Sequence, residues 1–338
     1  MVSWIVGAVL SAVAAMVSNL GVNIEKYAFV KNRALPTDQQ KPYSRDSLWI
    51  LGFCIVVFGF ICDFIALSMA AQTIVGPIYA LSAVANLLFG YFWLLENTSV
   101  REIVGALCVL TGVVLAAAVG DHRSKEYAMN DILSLAIENM TFIWYAVALT
   151  LVILSLYVYS RFALPIKIKL DEAYKRYESA EQVQQTDKMH AEYCNILHLN
   201  SNYVKYAAFH PFSLCALSGT LGGLSVLFCK MVACLVFTSV YGELQILNWT
   251  FMLVLLLLAI TLSGQLYFLA EALRFFDVLY LVPIFQLVFT AVTTITGAIF
   301  FQECSEFTTE QSLSFGAGLL LTLIGMLLIF FRVTAIRA

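Results

Sequence analysis

The sequence predicts an all-α polytopic membrane protein of nine transmembrane helices, in two inverted four-helix repeats flanking a central helix. Three observations predict it. Hydrophobic residues make up 61% of the 338 positions and charged residues only 12%, too lopsided for a soluble domain of this length. The apolar residues fall into nine long stretches, and about 20 such residues cross a hydrocarbon core of roughly 30 Å. Of 19 Lys and Arg, fifteen fall in the loops on one side of those stretches and only Arg123 and Lys125 on the other. Cytosolic loops carry the Lys/Arg excess. The N-terminus is therefore expected outside or in a lumen and the C-terminus in the cytosol, in a plasma membrane or endomembrane.

The first span, 4–28, begins MVSWIVGAVL with no basic n-region, so a cleaved signal peptide is not expected. The second, 48–71, holds Gly59 and Asp63. The third, 73–95, has Pro77 near its start, where proline costs little and sets helix entry. The fourth, 101–119, carries Gly105 and Gly112, small residues that let helices approach. These four make a first repeat over 1–120. The fifth span, 140–162, stands alone. A cytosolic linker over 163–211 follows, and 165–208 is soluble in character. Asp171–Lys175 and Glu172–Arg176 there have the favoured i,i+4 order. An exposed or surface-lying helix is expected, serving as a linker or a site for a protein partner. The spans 212–240, 249–271, 276–301 and 312–334 make a second repeat over 212–338.

The two halves share landmarks in order. GPIYALSAVANLLFGYFWLLE (Gly76–Glu96) and VPIFQLVFTAVTTITGAIFFQE (Val282–Glu303) each begin with Pro-Ile-aromatic and end in Glu. Each is followed by a span with glycines seven apart, Gly105 and Gly112, then Gly318 and Gly325, and preceded by one with a central Gly59 or Gly264. The first and sixth spans run from small residues to Lys26 and Lys230. Because they cross in opposite directions, the copies are inverted, the usual plan of secondary transporters working by alternating access.

Ionisable groups within spans are costly and usually face a bundle interior or a water-filled path. Asp63 and Lys230 lie about 22–27 Å from the cytosolic boundary at 1.5 Å per residue, which suggests an ion pair, structural or functional. Asn19, Asn23, Gln72, Asn86, Gln265 and Gln286 add polar groups to the interior. One carboxylate with several amides suits a partly hydrated divalent cation, with Asp63 as the metal ligand, and equally a polar metabolite. Glu25, Lys26, Glu271, Arg274 and Asp277 cluster at inner span ends, as interfacial pairs or as a cytosolic mouth. Glu96 and Glu303 end matching spans and read as caps or interfacial anchors. Seven of eight cysteines lie in spans or cytosolic loops, only Cys304 outside, so no disulfide framework is implied. The sequons at Asn139 and Asn248 sit at span ends, where glycosylation is sterically doubtful. No zinc spacing, P-loop, dinucleotide fingerprint or Ser/His/Asp set appears, so neither an enzyme nor a bound cofactor is expected.

LGVNIEKYAF, AAQTIVGPIYALSAV, LGGLSVLFCKM and QLYFLAEALRFFDVLYLVPIFQLVFT, in this order, resemble the NIPA-type magnesium transporters of the drug/metabolite transporter superfamily. The resemblance covers most of both repeats and carries a family lysine onto Lys230. It implies Mg²⁺ as a transported ion rather than a cofactor, with the bilayer as partner. The chain departs from the family pattern at Phe60, where the family has an acidic residue, and at Asp63, where it has Asn. Ala270 stands for a family Asn, and the long linker is absent from typical members. A carrier for an anionic or polar metabolite, with Lys230 on its anionic group, is the alternative, as is a non-transporting scaffold.

Overall fold

The structure, a computed structural model, describes residues 3–33, 45–93, 98–122, 127–182, 186–207, 209–241, 248–276 and 278–330. The described residues form α1 (Ser3–Arg33), α2 (Ser47–Met69), α3 (Gln72–Ile78), α4 (Leu81–Trp93), α5 (Val100–Val119), α6 (Met129–Ile137), α7 (Met140–Gln182), α8 (Thr186–Ala207), α9 (His210–Tyr241), α10 (Trp249–Phe275), α11 (Val278–Phe300) and α12 (Thr309–Phe330). Among them nine segments are long and apolar enough to cross a membrane, at the places the apolar stretches mark. Short polar side chains start several of them. Asp46 accepts from the Leu48 N–H at 2.9 Å. Ser99 and Glu102 cap α5 reciprocally, the Ser99 N–H donating to the Glu102 carboxylate at 2.6 Å.

The third span is not the single helix expected over 73–95. Pro77 has no N–H to continue the helical ladder. The next N–H groups turn to nearer carbonyls, Ala80 to Pro77 at 3.0 Å and Ser82 to Tyr79 at 3.1 Å. That tightens the backbone into a turn and splits the span into α3 and α4 at Tyr79–Ala80. A second difference is α6, in a stretch expected to be loop. Its Met129 and Ile132, three apart, are buried on a cluster with Leu227, Met231 and Leu235 of α9.

The fifth span also continues. Helix α7 runs unbroken for 43 residues, about 65 Å at 1.5 Å per residue, and α8 folds back along its far half. The linker is thus a helical hairpin standing off the bundle. Leu170 and Ala173 pack against Ile196 and Tyr203 across it, and Arg176 joins Glu192 at 3.1 Å. The expected i,i+4 pairs do not form. Asp171 instead takes Lys167 at 2.8 Å, and α8 draws Arg176 away from Glu172 to its own Glu192.

Within the bundle α1 packs on α2, α9 on α10 and α11, α3 on α11, and α5 on α12. Glycine sets the last contact. A Cβ on Gly112 would lie 2.6 Å from the Gly318 carbonyl oxygen, and one on Gly325 2.6 Å from that of Gly105. The helices touch backbone to backbone, the packing role expected of these glycines.

Candidate ion pathway

Lys230 and Asp63, expected to pair, engage different partners. Lys230 is 3% exposed and donates to Glu303 Oε1 at 2.8 Å, with its Nζ 4.4 Å from the Phe301 ring centroid. The equal-depth estimate overlooked that the chain leaving α11 turns back into the bundle. Gln302 adopts a left-handed conformation (φ 51°), and the Glu303 N–H returns to the Ala298 carbonyl at 3.1 Å, a Schellman-type helix end. This turn carries Glu303, 4% exposed, inward rather than to an interface. Its Oε1 also accepts the Gln72 N–H at 2.8 Å and its Oε2 the Thr73 N–H at 2.7 Å. Glu303 is therefore a cap, but of α3 in the other half of the chain. Its counterpart Glu96 lies outside the described residues.

Asp63 accepts from Ser11 Oγ at 2.9 Å and from the Tyr79 hydroxyl at 2.7 Å. Tyr79 sits at the helix break, and its carbonyl accepts from Gln286 Nε2 at 3.2 Å. Residues of α1, α2, α11 and the α3–α4 turn thus converge around one carboxylate. Phe60, one turn before Asp63, is 65% exposed and faces away from the bundle.

The other expected groups occupy two further places. Asn23 donates to Asn86 Oδ1 at 3.1 Å, joining α1 to α4, and to the Asn19 carbonyl at 2.8 Å. Asn19 itself donates to the Ala15 carbonyl at 2.9 Å. Gln265 takes Ser225 Oγ on its Oε1 at 3.4 Å and Ser218 Oγ on its carbonyl at 2.8 Å. Of the mouth cluster, Lys26 is exposed, Glu25 lies against Gly52, and Glu271 is 3.5 Å from the Tyr267 hydroxyl. Asp277 lies outside the described residues. Asn139 is buried, its amide donating to the Ile299 carbonyl at 2.8 Å.

Between Glu303 and Tyr79, α3 crosses α11. Gly76 meets Thr294 there, and a Cβ on Gly297 would run into the Gln72 side chain. Gln72 Oε1, Thr73 Oγ1, Thr290 Oγ1 and Thr293 Oγ1 are buried along this crossing with no protein partner among the described residues. At the bundle end remote from the hairpin, a cavity of about 260 Å³ opens over Glu303, lined also by Asp121, His122, Gln302, Glu306 and Gln311. Cys304 stands beside it, its thiol pushed up to about 11 by burial and then by the charges of Glu303 and Asp121. Among the described residues no three His, Cys, Asp or Glu side chains converge as a closed metal cage.

Sequence reasoning missed Ser11, Tyr79 and the inward role of Glu303. Two of the three carried a signal: Tyr79 is the aromatic of the Pro-Ile-aromatic landmark, and Glu303 is the glutamate that closes its second copy.

The sequence model of the family described as magnesium transporter NIPA matches residues 2–164 and 190–333. A protein of Arabidopsis thaliana named probable magnesium transporter NIPA8 is 25% identical over 333 residues, covering 96% of this chain and 69% of its own length. NIPA-like protein 2 of Mus musculus is 23% identical, covering 88% of this chain and 66% of its own. A second Arabidopsis thaliana protein, probable magnesium transporter NIPA7, is 23% identical, covering 85% and 75%. The chain thus spans roughly two thirds to three quarters of these relatives. No solved structure matches it.

Proposed function

The chain belongs to the magnesium transporter NIPA family, and from that premise we propose that it carries Mg²⁺, or a similar divalent cation, across a membrane by alternating access of two inverted repeats. Like its relatives, it is a membrane transporter rather than an enzyme. The observation that carries the cation reading is Glu303, a buried carboxylate beneath an acidic cavity, balanced by a tethered ammonium and two backbone N–H groups.

In this reading the cation enters among Asp121, Glu303 and Glu306 and competes with Lys230 for Glu303. Once the cation draws the Glu303 carboxylate to itself, the Gln72 and Thr73 N–H groups lose their acceptor across the halves and α3 can part from α11. The orphan oxygens of Gln72, Thr73, Thr290 and Thr293 then gain a ligand. Each such buried oxygen otherwise costs about 1–3 kcal/mol. Asp63, with Ser11 and Tyr79, would hold the ion at the helix break, where discontinuous helices place substrate sites. Asn23 and Asn86 would receive it farther along. Carboxylates and neutral oxygens with retained water are what Mg²⁺ accepts.

An anionic metabolite is the weaker reading. Lys230 and the α3 N–H groups could bind an anion, but Glu303 already occupies them. Repeat pairing supports the inverted arrangement: α1 packs on α2 as α9 does on α10, and on α3 and α4 as α9 does on α11. Mg²⁺ transport is tested with purified protein in liposomes holding a Mg²⁺-sensitive dye. Mg²⁺ entry should exceed that of protein-free vesicles, and Asp63→Asn should slow it at least tenfold in a folded protein. Wild-type protein that is folded yet gives no flux above empty vesicles would falsify the proposal.

A further inference from the structure

We propose that the pocket at the foot of the α7–α8 hairpin binds the phosphorylated headgroup of an anionic membrane lipid, of the phosphorylated-inositol kind. A cavity of about 380 Å³ opens there between the two helices. Lys169 of α7 and Lys205 of α8 face it from opposite walls, Asn202 and Tyr206 add hydrogen-bonding groups, and Pro165 and Ile166 form an apolar floor.

The charge at this place is unspent. Lys167 is paired with Asp171 and Arg176 with Glu192, whereas Lys169 and Lys205 are exposed and make no ion pair among the described residues. Glu172, exposed one turn beyond Lys169, makes no ion pair among the described residues. Arg161 adds a further cation at the membrane end of α7, near the Tyr157 ring.

Height above the membrane selects the ligand. The fifth span ends at residue 162, so Lys169 stands about 10 Å beyond it at 1.5 Å per residue, and Lys205, on the opposite wall of the same cavity, stands at a comparable height. The polar headgroup layer is only about 5–8 Å deep on each side. A simple phosphodiester stays below both lysines. An inositol ring bearing further phosphates projects past that layer and reaches both lysines. Exposed Phe162, Val204 and Phe209 flank the same level as apolar contacts for the lipid. Basic pockets beside membrane helices on the cytosolic side bind such headgroups. Lys169 lies in the stretch 165–189 that the family match skips, while Lys205 lies within the matched residues; the site is separate from the proposed ion pathway and stands whether or not Mg²⁺ is carried.

The test uses full-length protein in phosphatidylcholine nanodiscs, titrated with fluorescent bis-phosphorylated phosphatidylinositol. Lys169→Gln and Lys205→Gln should each weaken binding about fivefold, the equivalent of about 1 kcal/mol per lysine near the surface. The double variant should lose about 25-fold. Lys175→Gln, farther along α7, removes the same charge and should leave binding unchanged. All three changes are at exposed positions, and monodisperse elution confirms that the variants fold. Equal loss in Lys175→Gln, or equal binding of phosphatidylserine at matched charge, would reduce the site to a diffuse field and overturn the proposal. So would absence of binding. Binding of the headgroup cleaved from its lipid as tightly as the intact lipid would identify a soluble phosphate ligand and overturn the lipid assignment.

Discussion

Glu303 and Lys230, both buried, share one short contact of 2.8 Å. Removing one partner of a buried pair typically costs about 3–5 kcal/mol. The two losses should differ here. Lys230→Met leaves Glu303 two backbone donors, whereas Glu303→Leu leaves Lys230 only the Phe301 ring and strands two N–H groups of α3. Thermal unfolding in detergent should therefore rank Glu303→Leu below Lys230→Met, with the double variant above the sum of its parts by about 0.5–3 kcal/mol. The same cycle between Asp63 and Lys230 should be nearly additive, since they share no hydrogen-bond partner. A larger coupling for Asp63 would reinstate the pairing expected from sequence. Cys304 offers a chemical check on burial at the edge of the acidic cavity. Its thiol is raised, so the thiolate is scarce at neutral pH and grows as pH climbs toward about 11. Maleimide should label it roughly 100-fold more slowly at pH 7 than a thiol at the usual value near 9, the factor of two pH units, and the rate should rise with pH. Fast labelling at pH 7 would mean that Cys304 is not buried beside the acidic cavity.

Among the elements, the short α3 is held less by its own ladder than by Glu303 at its start and α11 along its side. A segment of seven residues is too short to be stable alone, so its position depends on those contacts. The α5–α12 pair is the opposite case, closed by backbone contact. Gly112→Ala would press a methyl against the Gly318 carbonyl and the Thr322 N–H, both 2.6 Å away. Backbone cannot yield cheaply, and a loss of about 1–3 kcal/mol is expected. Gly316→Ala, on the partner helix α12 with nothing within 4 Å, should be neutral or stabilising by up to about 1 kcal/mol, the helix-propensity difference. Melting temperatures of the two variants read the contrast directly, and similar values would mean that α5 and α12 are not in close contact.

At the scale of the whole molecule, the hairpin and the acidic cavity lie at opposite ends of the bundle. If the Lys/Arg excess marks the cytosol, Cys194, exposed on α8, should react with a membrane-impermeant maleimide only after the cells are opened. Ser305→Cys, exposed beside the acidic cavity, should react on intact cells or from the lumen of sealed organelles. The reverse pattern would invert the orientation and the direction in which the acidic cavity faces.

Nine crossing segments could be read from composition and length, because the bilayer imposes one strong rule: about 20 apolar residues with every backbone group bonded within the helix. That rule acts locally, so the sequence by itself determined the spans, the sided charge, the polar residues available to a pathway and the glycines that close α5 on α12. Partner choice among the buried charges is not local. Lys230 and Glu303 are 73 residues apart, and Glu303 and the start of α3 more than 200. Only the left-handed turn at Gln302, the break after Pro77 and the packing of α3 on α11 bring them together. Depth along a helix placed Lys230 level with Asp63. The direction in which each helix face points, settled by tertiary packing, gave Lys230 to Glu303 and Asp63 to Ser11 and Tyr79.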